Sequence, residues 1–374
     1  MNLSEITNYF NTKQKAFEDL LHRLVSLSTY SGRVSDINSF QDVCIELFEP
    51  FHPQVKRVQT KVGDIVVFDF LPETKEKIIM LAHIDTVQVT EQATPPRIED
   101  GRLYGNGCYD MKSAVALFFF VRKAIREFKL SPSRGMKIIL TPDEETGSTF
   151  SMDFLIDECR DAAGVLVPEP CCPDGSIKTR RKGVLFFNAI LTGKAAHSGV
   201  EPEKGKDANR GLMELIREID KRMEKYSDVT FNPGIITGGV RINVVSPESL
   251  LEGEFRSHSN STLESIAEEL DQIQRIGNIH VSVSARMHHP ALEFDDKNKK
   301  LFQVAQKVAS QLNVELSTCS SGGASDGSTL SSKGISVLDG IGIRGGDAHS
   351  KDEFVELTDF PFRAAFLTGL SLEI

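Results

Sequence analysis

Short apolar runs alternate with segments of helical period between residues 77 and 168. The apolar runs predict buried strands at 78–82, 136–140 and 164–167. Apolar positions with helical spacing predict helices at 111–128 and 151–159. Buried strands separated by helices predict a mostly parallel sheet with helices on both faces.

The order of the predicted elements changes after residue 182. Strands are predicted at 184–192, 229–237, 249–255 and 279–285, and helices at 207–225 and 262–275. This β-α-β-β-α-β order is that of the ferredoxin-like arrangement. Beyond Pro290 the α/β pattern resumes with a helix at 299–312, an apolar segment at 335–343 and a C-terminal helix.

These patterns predict an α/β fold in which one domain interrupts another. The larger, discontinuous domain takes residues 1–181 and 290–374 and contains the mostly parallel central sheet flanked by helices. The inserted ferredoxin-like α+β domain takes residues 182–289. A chain of 374 residues is long enough for each domain to bury its own core.

Composition and charge narrow the classes of partner. Hydrophobic residues at 40% and charged residues at 26% exclude disordered and fibrous proteins. The formal net charge of −10 comes with no basic footprint, so no nucleic-acid partner is expected. No apolar run reaches the ~18 residues of a membrane span. The first residues lack a secretion signal and the six cysteines lack paired spacing, so we predict reduced thiols in a cytoplasmic protein.

Side chains that bind metals follow the predicted strands directly. His83 and Asp85 follow the first strand, Glu144 and Glu145 the second, and Glu169 the third. Asp110 precedes the long helix at 111–128, and His349 follows a later apolar segment. In open α/β sheets, sites form beyond the carboxyl ends of the strands. This set of ligands predicts a hydrolytic zinc site with one or two ions.

Each of these residues also has a simpler interpretation. A single histidine after a strand is more often structural than a ligand, but Asp85 shares a strand face with His83 and can orient its imidazole. Adjacent glutamates usually lie in a solvated turn, whereas Glu144 and Glu145 close a buried strand, where carboxylates without a cation cost several kcal/mol. Two prolines fix the backbone of Glu169. In combination the signals favour a metal site.

Several ordered motifs resemble one family of zinc-dependent metallopeptidases. The motifs are Ala-His-Ile-Asp-Thr-Val at 82–87, Gly-x-x-Asp-Met-Lys at 107–112, Asp-Glu-Glu-x-Gly-Ser at 143–148, Pro-Glu-Pro at 168–170, Ala-Ala-His-Ser-Gly at 195–199, Gly-Gly-x-x-x-Asn-Val-Val at 238–245, Gly-Gly-Ala-Ser-Asp-Gly at 322–327 and Ala-His at 348–349. The family is that of acetylornithine deacetylase, succinyl-diaminopimelate desuccinylase, aminoacylase and glutamate carboxypeptidase. The segment at 193–205 resembles the glutamate carboxypeptidase-like branch in particular.

The resemblance implies a role for each residue at the strand ends. Asp110 would bridge two zinc ions, with His83 and Glu169 on one ion and Glu145 and His349 on the other. It further implies that Glu144 is the general base for a zinc-activated water, that Asp85 orients His83, and that the peptide bond after Asp110 is cis. Co²⁺ or Mn²⁺ would be possible substitutes for Zn²⁺.

The resemblance also assigns roles in the inserted domain, which would be a lid and dimerisation domain. His197 would reach across a homodimer into the partner's site and help to stabilise the oxyanion. Asn243 and Arg256 would bind substrate, as would the loop with Gly323 and Ser325. From the residue alone, Arg256 fits equally a surface salt bridge and a carboxylate clamp, and the resemblance favours the clamp.

Two rival interpretations use other features of the sequence. Residues 323–327 fit the Gly-x-Ser-x-Gly elbow of serine hydrolases, with Asp347 and His349 later in the order that a Ser325 nucleophile requires. An elbow needs a helix directly after the serine, however, and 328–334 supports at most two turns. A non-catalytic, metal-stabilised binding protein would not need Glu144. We therefore predict a metal-dependent hydrolase of small peptides or N-acyl amino acids, with carboxypeptidase and deacylase both open.

Overall fold

The computed structural model describes residues 3–89 and 95–374. The predicted domain at 1–181 includes residues 1–2 and 90–94, which lie outside the described residues. The helices are α1 Leu3–Thr12, α2 Gln14–Val25, α3 Val34–Phe48, α4 Ser113–Glu127, α5 Met152–Cys159, α6 Ala208–Met223, α7 Asn260–Asp271, α8 Asp296–Gln311, α9 Asp326–Ser332 and α10 Phe360–Glu373.

The strands of the same residues form three sheets. They are β1 Gln54–Val58, β2 Ile65–Asp69, β3 Lys77–His83, β4 Arg97–Glu99, β5 Arg102–Tyr104, β6 Gly135–Thr141, β7 Ala162–Val167, β8 Ile177–Arg181, β9 Gly183–Thr192, β10 Thr230–Gly238, β11 Glu248–Ser257, β12 Arg275–Ile276, β13 Ile279–His289, β14 Thr318–Ser321, β15 Val337–Asp339, β16 Gly345–Gly346 and β17 Phe354–Glu356.

The largest sheet has the order β1-β2-β6-β3-β7-β15-β8-β14. Its centre is parallel, since β3 pairs in parallel with both β6 and β7, and β7 pairs in parallel with β15. Antiparallel pairs flank this centre at β2 and β8. The predicted mostly parallel sheet is confirmed.

Alternate residues of β3 face two different apolar cores. Ile78, Met80 and Ala82 join the core with residues of α1, α2, α4 and α10, whereas Ile79 and Leu81 join residues of α5 and α9. Every residue of β3 is buried, as expected for a strand with helices on both faces. The predicted helical cover on both faces is therefore confirmed.

The segment from β9 to β13 has the predicted β-α-β-β-α-β order, with one additional short strand, β12, before β13. Its antiparallel sheet has the order β10-β11-β9-β13-β12, and residues of α6 and α7 share one apolar core with it. Both helices start at capping side chains: Asp207 accepts the N–H of Asn209, and Ser259 accepts the N–H of Thr262. The predicted helix at 262–275 was too long, because β12 pairs with β13 in a hairpin after α7 ends at Asp271.

The chain divides into two compact units. One contains Met1–Thr179, Phe294–Ser320 and Ser325–Ile374, and the other contains Arg180–Glu293 and Ser321–Ala324. We predicted one insertion at 182–289; the structure adds the short segment Ser321–Ala324 to this unit. The roles of the units as catalytic domain and lid stay predictions.

One pair of cysteines differs from the sequence-based expectation. Cys172 and Cys319 form a disulfide, whereas Cys44, Cys108, Cys159 and Cys171 are free and buried. The prediction of six reduced thiols is therefore wrong, because the fold brings together two cysteines 147 residues apart. Reduced thiols were one reason to expect a cytoplasmic protein, and that location stays a prediction.

Candidate metal centre

The candidate residues converge because parallel strands end at one edge of the sheet. His83 is the last residue of β3, and the neighbouring β6 leads through Pro142 into the short turn that carries Glu144 and Glu145. On the other side of β3, β7 leads directly to Glu169. Local strand geometry thus places four of the predicted side chains at one edge.

A first group consists of His83, Asp110 and Glu169. The Nε2 atom of His83 lies 3.1 Å from Oδ1 of Asp110 and 3.4 Å from Oε1 of Glu169. The Nδ1 atom lies 3.0 Å from the backbone oxygen of Asp85, an acceptor only, so Nδ1 carries the hydrogen. In the neutral imidazole, Nε2 would therefore be free to bind a metal ion lying between it and the two carboxylates.

A second group shares Asp110 with the first. The Nε2 atom of His349 lies 3.1 Å from Oε1 of Glu145 and 3.4 Å from Oδ2 of Asp110. Within each group, the potential ligand atoms all lie within 4.8 Å of one another. Two ligands on a tetrahedral zinc ion are about 3.4 Å apart, given metal–ligand distances of about 2.0–2.2 Å. These nitrogen and oxygen atoms therefore fit two divalent ions that share one carboxylate.

The electrostatics of the groups show an excess of negative charge. Hydrogen bonds with Asp110 and Glu145 raise the pKa of His349 to about 10. Burial opposes protonation of His83, but its hydrogen bonds with carboxylates, first that of Asp110, hold its pKa well above the ordinary value. Burial raises the pKa of Glu144 and Glu145. In both groups, carboxylates raise the proton affinity of a histidine, and a divalent ion bound there would take the place of these protons.

The turn before α4 places Asp110 between the two groups. The predicted helix at 111–128 starts two residues later, at Ser113, because residues 108–112 form a separate tight turn. The peptide bond between Asp110 and Met111 is cis, so the cis bond implied by the resemblance is confirmed. Gly107 has φ +74°, and a Cβ there would lie 2.3 Å from Cγ2 of Thr86, so the turn requires glycine.

Asp85 has a wider role than the sequence suggested. Its side-chain oxygen Oδ1 lies 3.5 Å from Nδ1 of His83, which is farther than its backbone oxygen at 3.0 Å. The carboxylate instead accepts the N–H groups of Glu144 at 3.1 Å and Glu145 at 3.2 Å, and the hydroxyl of Ser31 at 2.8 Å. Asp85 therefore fixes the turn that presents both glutamates as well as the orientation of His83.

Sequence reasoning missed three side chains around these groups. Ser31 binds Asp85, Asp326 accepts the hydroxyl of Ser148 at the end of the glutamate turn, and Glu353 accepts backbone N–H groups beside Asp110. No local signal marked Glu353 in the sequence, because its Lys-Asp-Glu setting resembles a solvated surface although the side chain is buried.

Comparison with known proteins decides the family. The model of peptidase family M20/M25/M40 matches residues 79–373 of the chain. The chain belongs to this family. The M20/M25/M40 proteins are metal-dependent hydrolases, so the predicted resemblance is confirmed and the chain is a metallopeptidase or related amidohydrolase. The interpretation as a non-catalytic binding protein is set aside.

Individual relatives agree with this membership. The chain is 25% identical to carboxypeptidase G2 from Pseudomonas sp. (strain RS-16) over 376 residues, 97% of this chain and 90% of the relative. Aminopeptidase PepT from Bacillus cereus superposes with a TM-score of 0.80 at 22% identity, over 96% of this chain and 98% of that one. The Bacillus subtilis YXEP protein, a dinuclear metal-binding M20 peptidase, gives 0.74 at 14% identity, over 97% and 98%. These two structures show the M20 fold.

The position of Ser325 differs from both predictions made for it, as a nucleophile and as a substrate-binding residue. It is fully buried, at 0% exposure, and its hydroxyl donates to Asp339, while His349 contacts Glu145 and Asp110. A nucleophile must be exposed and bonded to its base, so the serine-hydrolase alternative is wrong for this M20 protein. The prediction that Ser325 binds substrate is corrected for the same reason, because its side chain faces the core.

The candidates of the inserted unit form two sets with different contacts. His197 and Asn243 are exposed, and their segments pair with each other through the bridge from His197 to Val244. The side chain of Arg256 binds Glu254 through two nitrogens, at 2.9 and 3.1 Å, and donates to the backbone oxygen of Gly322 at 2.8 Å. Gly323 is exposed beside that contact.

No helix among residues 3–89 and 95–374 combines the length and the apolar character needed to cross a bilayer.

Proposed function

We propose that this M20 protein hydrolyses an amide or peptide bond next to a free carboxylate and uses two zinc ions. The sharing of Asp110 by two groups of ligands carries this proposal. His83 and Glu169 would hold one ion with Asp110, and Glu145 and His349 the other. Bound there, the ions would polarise a substrate carbonyl and increase the acidity of water.

Side chains of the protein would carry out the proton transfers and hold the ligands in position. Glu144 belongs to neither ligand group, although its backbone is fixed next to Glu145 by Asp85. Its carboxylate is therefore left to take the proton from the attacking water and to deliver it to the leaving nitrogen. Asp85 holds both His83 and the turn of Glu144 in place, which supports a positioning role.

The proposed carboxylate site rests on Arg256. Its guanidinium already binds a carboxylate with two parallel hydrogen bonds, that of Glu254 on the same strand. A substrate carboxylate would take the place of Glu254 in this fork, which is the geometry that favours arginine over lysine. The similarity to carboxypeptidase G2 supports a carboxypeptidase activity. Because the family also contains deacylases, N-acyl amino acids are the second proposed class of substrate.

The substrate proposal predicts a strong preference for free acids. With zinc present, dipeptides and N-acyl amino acids should be hydrolysed, whereas their C-terminal amides should be poor substrates. Arg256→Ala should raise KM for the free acids by roughly ten- to hundred-fold, since a charge-assisted hydrogen bond contributes about 1.5–3 kcal/mol. Steady-state assays of matched acid and amide pairs measure this effect.

The amides provide the internal control for Arg256→Ala. Their KM should hardly change, because they lack the charge that Arg256 binds. An equal rise of KM for acids and amides would show that Arg256 stabilises the structure of the inserted unit and does not bind the substrate carboxylate. Equal hydrolysis of both series by the unaltered protein would overturn the preference for a free carboxylate.

We further propose that the protein forms a homodimer through the inserted unit and that His197 acts in the partner's site. The exposure of His197 and its pairing with the segment of Asn243 support a role outside its own core. Refolding a mixture of inactive His197→Ala and Glu144→Ala chains should restore part of the activity, because a mixed dimer has one intact composite site. If a demonstrably mixed dimer has no activity, His197 does not act in the partner's site.

A further inference from the structure

A buried carboxylate outside both ligand groups lies against the turn that carries Asp110. Glu353 is 2% exposed, and its Oε2 accepts the N–H of Gly107 at 2.7 Å. Its Oε1 accepts the N–H groups of Tyr109 and Asp110, both at 2.9 Å. One carboxylate thus binds three N–H groups of a single tight turn, an arrangement typical of anion-binding backbone loops.

The side chain of Glu353 is a hydrogen-bond partner of all three of these N–H groups. The turn at residues 108–112 contains non-helical backbone angles at Asp110 and Met111, so its N–H groups do not follow a regular helical ladder. Buried backbone N–H groups are almost always paired in native proteins. Removal of the carboxylate would therefore force the turn of Asp110 to rearrange.

The backbone of Glu353 also connects to the turn that carries His349. Its N–H donates to the oxygen of Ser350 at 3.4 Å, and its own oxygen accepts the N–H of Gly105 at 3.0 Å. Asp347 and His349 both have left-handed backbone angles, with φ of 55° and 62°. The side chain of His349 is 50% exposed, so side-chain packing fixes it only partly and the backbone turn determines where it points.

We propose that Glu353 is a positioning residue that joins the backbone of Asp110 to that of His349 and so sets the geometry of the second ligand group. This inference rests on the proposed metal site. The first group depends less on Glu353, because His83 ends a buried strand and is held by the backbone oxygen of Asp85. In the second group, Asp110 and His349 both belong to segments that Glu353 connects.

Glu353→Gln tests this role with little change in side-chain size. A glutamine has one acceptor oxygen, so in either orientation its NH₂ group faces an N–H of Gly107 or those of Tyr109 and Asp110. The affinity for the second ion should fall by about 10- to 100-fold, the usual effect of a lost outer partner of a metal ligand. The affinity for the first ion should change much less.

The experiment is a titration of metal-free full-length protein with Co²⁺, followed by the visible absorption of bound cobalt. Asp359→Asn provides a matched control, since Asp359 is a buried carboxylate of the same C-terminal segment that accepts the N–H of Arg344 at 2.9 Å and is in neither ligand group. The control should lower the melting temperature and leave the second cobalt spectrum and affinity as in the unaltered protein.

Two results would overturn the role of Glu353. One is a folded Glu353→Gln protein that binds both cobalt ions like the unaltered protein, and the other is an equal loss of the second ion in Asp359→Asn. If Glu353→Gln does not fold, Glu353→Asp, which keeps the charge and shortens the reach, replaces it with the same criterion. Failure of the unaltered protein to bind two ions would instead contradict the proposed function.

Discussion

Replacing Glu144 with glutamine should lower kcat by about 10²- to 10⁴-fold while the protein keeps both metal ions. Glu144 and Glu145 lie on one short 3-10 turn, yet only Glu145 belongs to a ligand group. Asp85 accepts the N–H groups of both residues, so the backbone of the turn should stay in place when one side chain changes. Steady-state kinetics and elemental analysis of bound zinc measure the two parts of this result.

Glu145→Gln is the matched control on the same turn. It should lose an ion, because its carboxylate would be one of only three protein ligands in the second group. Loss of metal from Glu144→Gln together with full metal content in Glu145→Gln would exchange the roles of the two glutamates. An unchanged kcat in Glu144→Gln would show that Glu144 is not the general base.

Removal of metal should abolish hydrolysis completely, and added zinc or cobalt should restore it. In the metal-free protein, His83 and His349 would be paired with the carboxylates of Asp110, Glu145 and Glu169. Histidines that are engaged with carboxylates polarise a substrate carbonyl far less than a divalent ion does. Activity after prolonged dialysis against a strong chelator, with metal content verified, measures the dependence.

A serine-directed fluorophosphonate provides the parallel control. It should not inactivate the protein, because the hydroxyl of Ser325 is buried and donates to Asp339. Full activity after verified removal of metal would contradict the two-ion proposal. Stoichiometric labelling of Ser325 with loss of activity would restore the serine mechanism that its burial argues against.

The sheet could be predicted from the sequence because its strands are buried on both faces. The apolar run at 78–82 lies within β3, and its alternate residues face two different cores, as a period of two requires. The end of α7 could not be predicted, since the pairing of Arg275 with His280 in a hairpin depends on tertiary contacts. Local pattern therefore located the elements better than their ends.

The part of the candidate site that lies at the ends of strands could be predicted from the sequence. His83, the glutamate turn and Glu169 follow parallel neighbours, so their proximity follows from the topology. Asp110 and His349 lie in irregular turns whose shape depends on hydrogen bonds with Glu353. Their residue types marked them as candidate ligands, but only the resemblance to a family predicted which other ligands share an ion with them. The disulfide of Cys172 with Cys319 had no local signal at all.

The distribution of the ligands along the chain has a consequence for protein synthesis. His349 follows Glu145 by 204 residues, and the segment Arg180–Glu293 of the second unit lies between them. Ribosomes add about 5–20 residues per second, so roughly 10–40 s separate the appearance of these two ligands. All three ligands of the first group have been synthesised by residue 169, whereas the second group is complete only when His349 has been added. A nascent chain thus contains every residue of one proposed metal site long before the last residue of the other has been added.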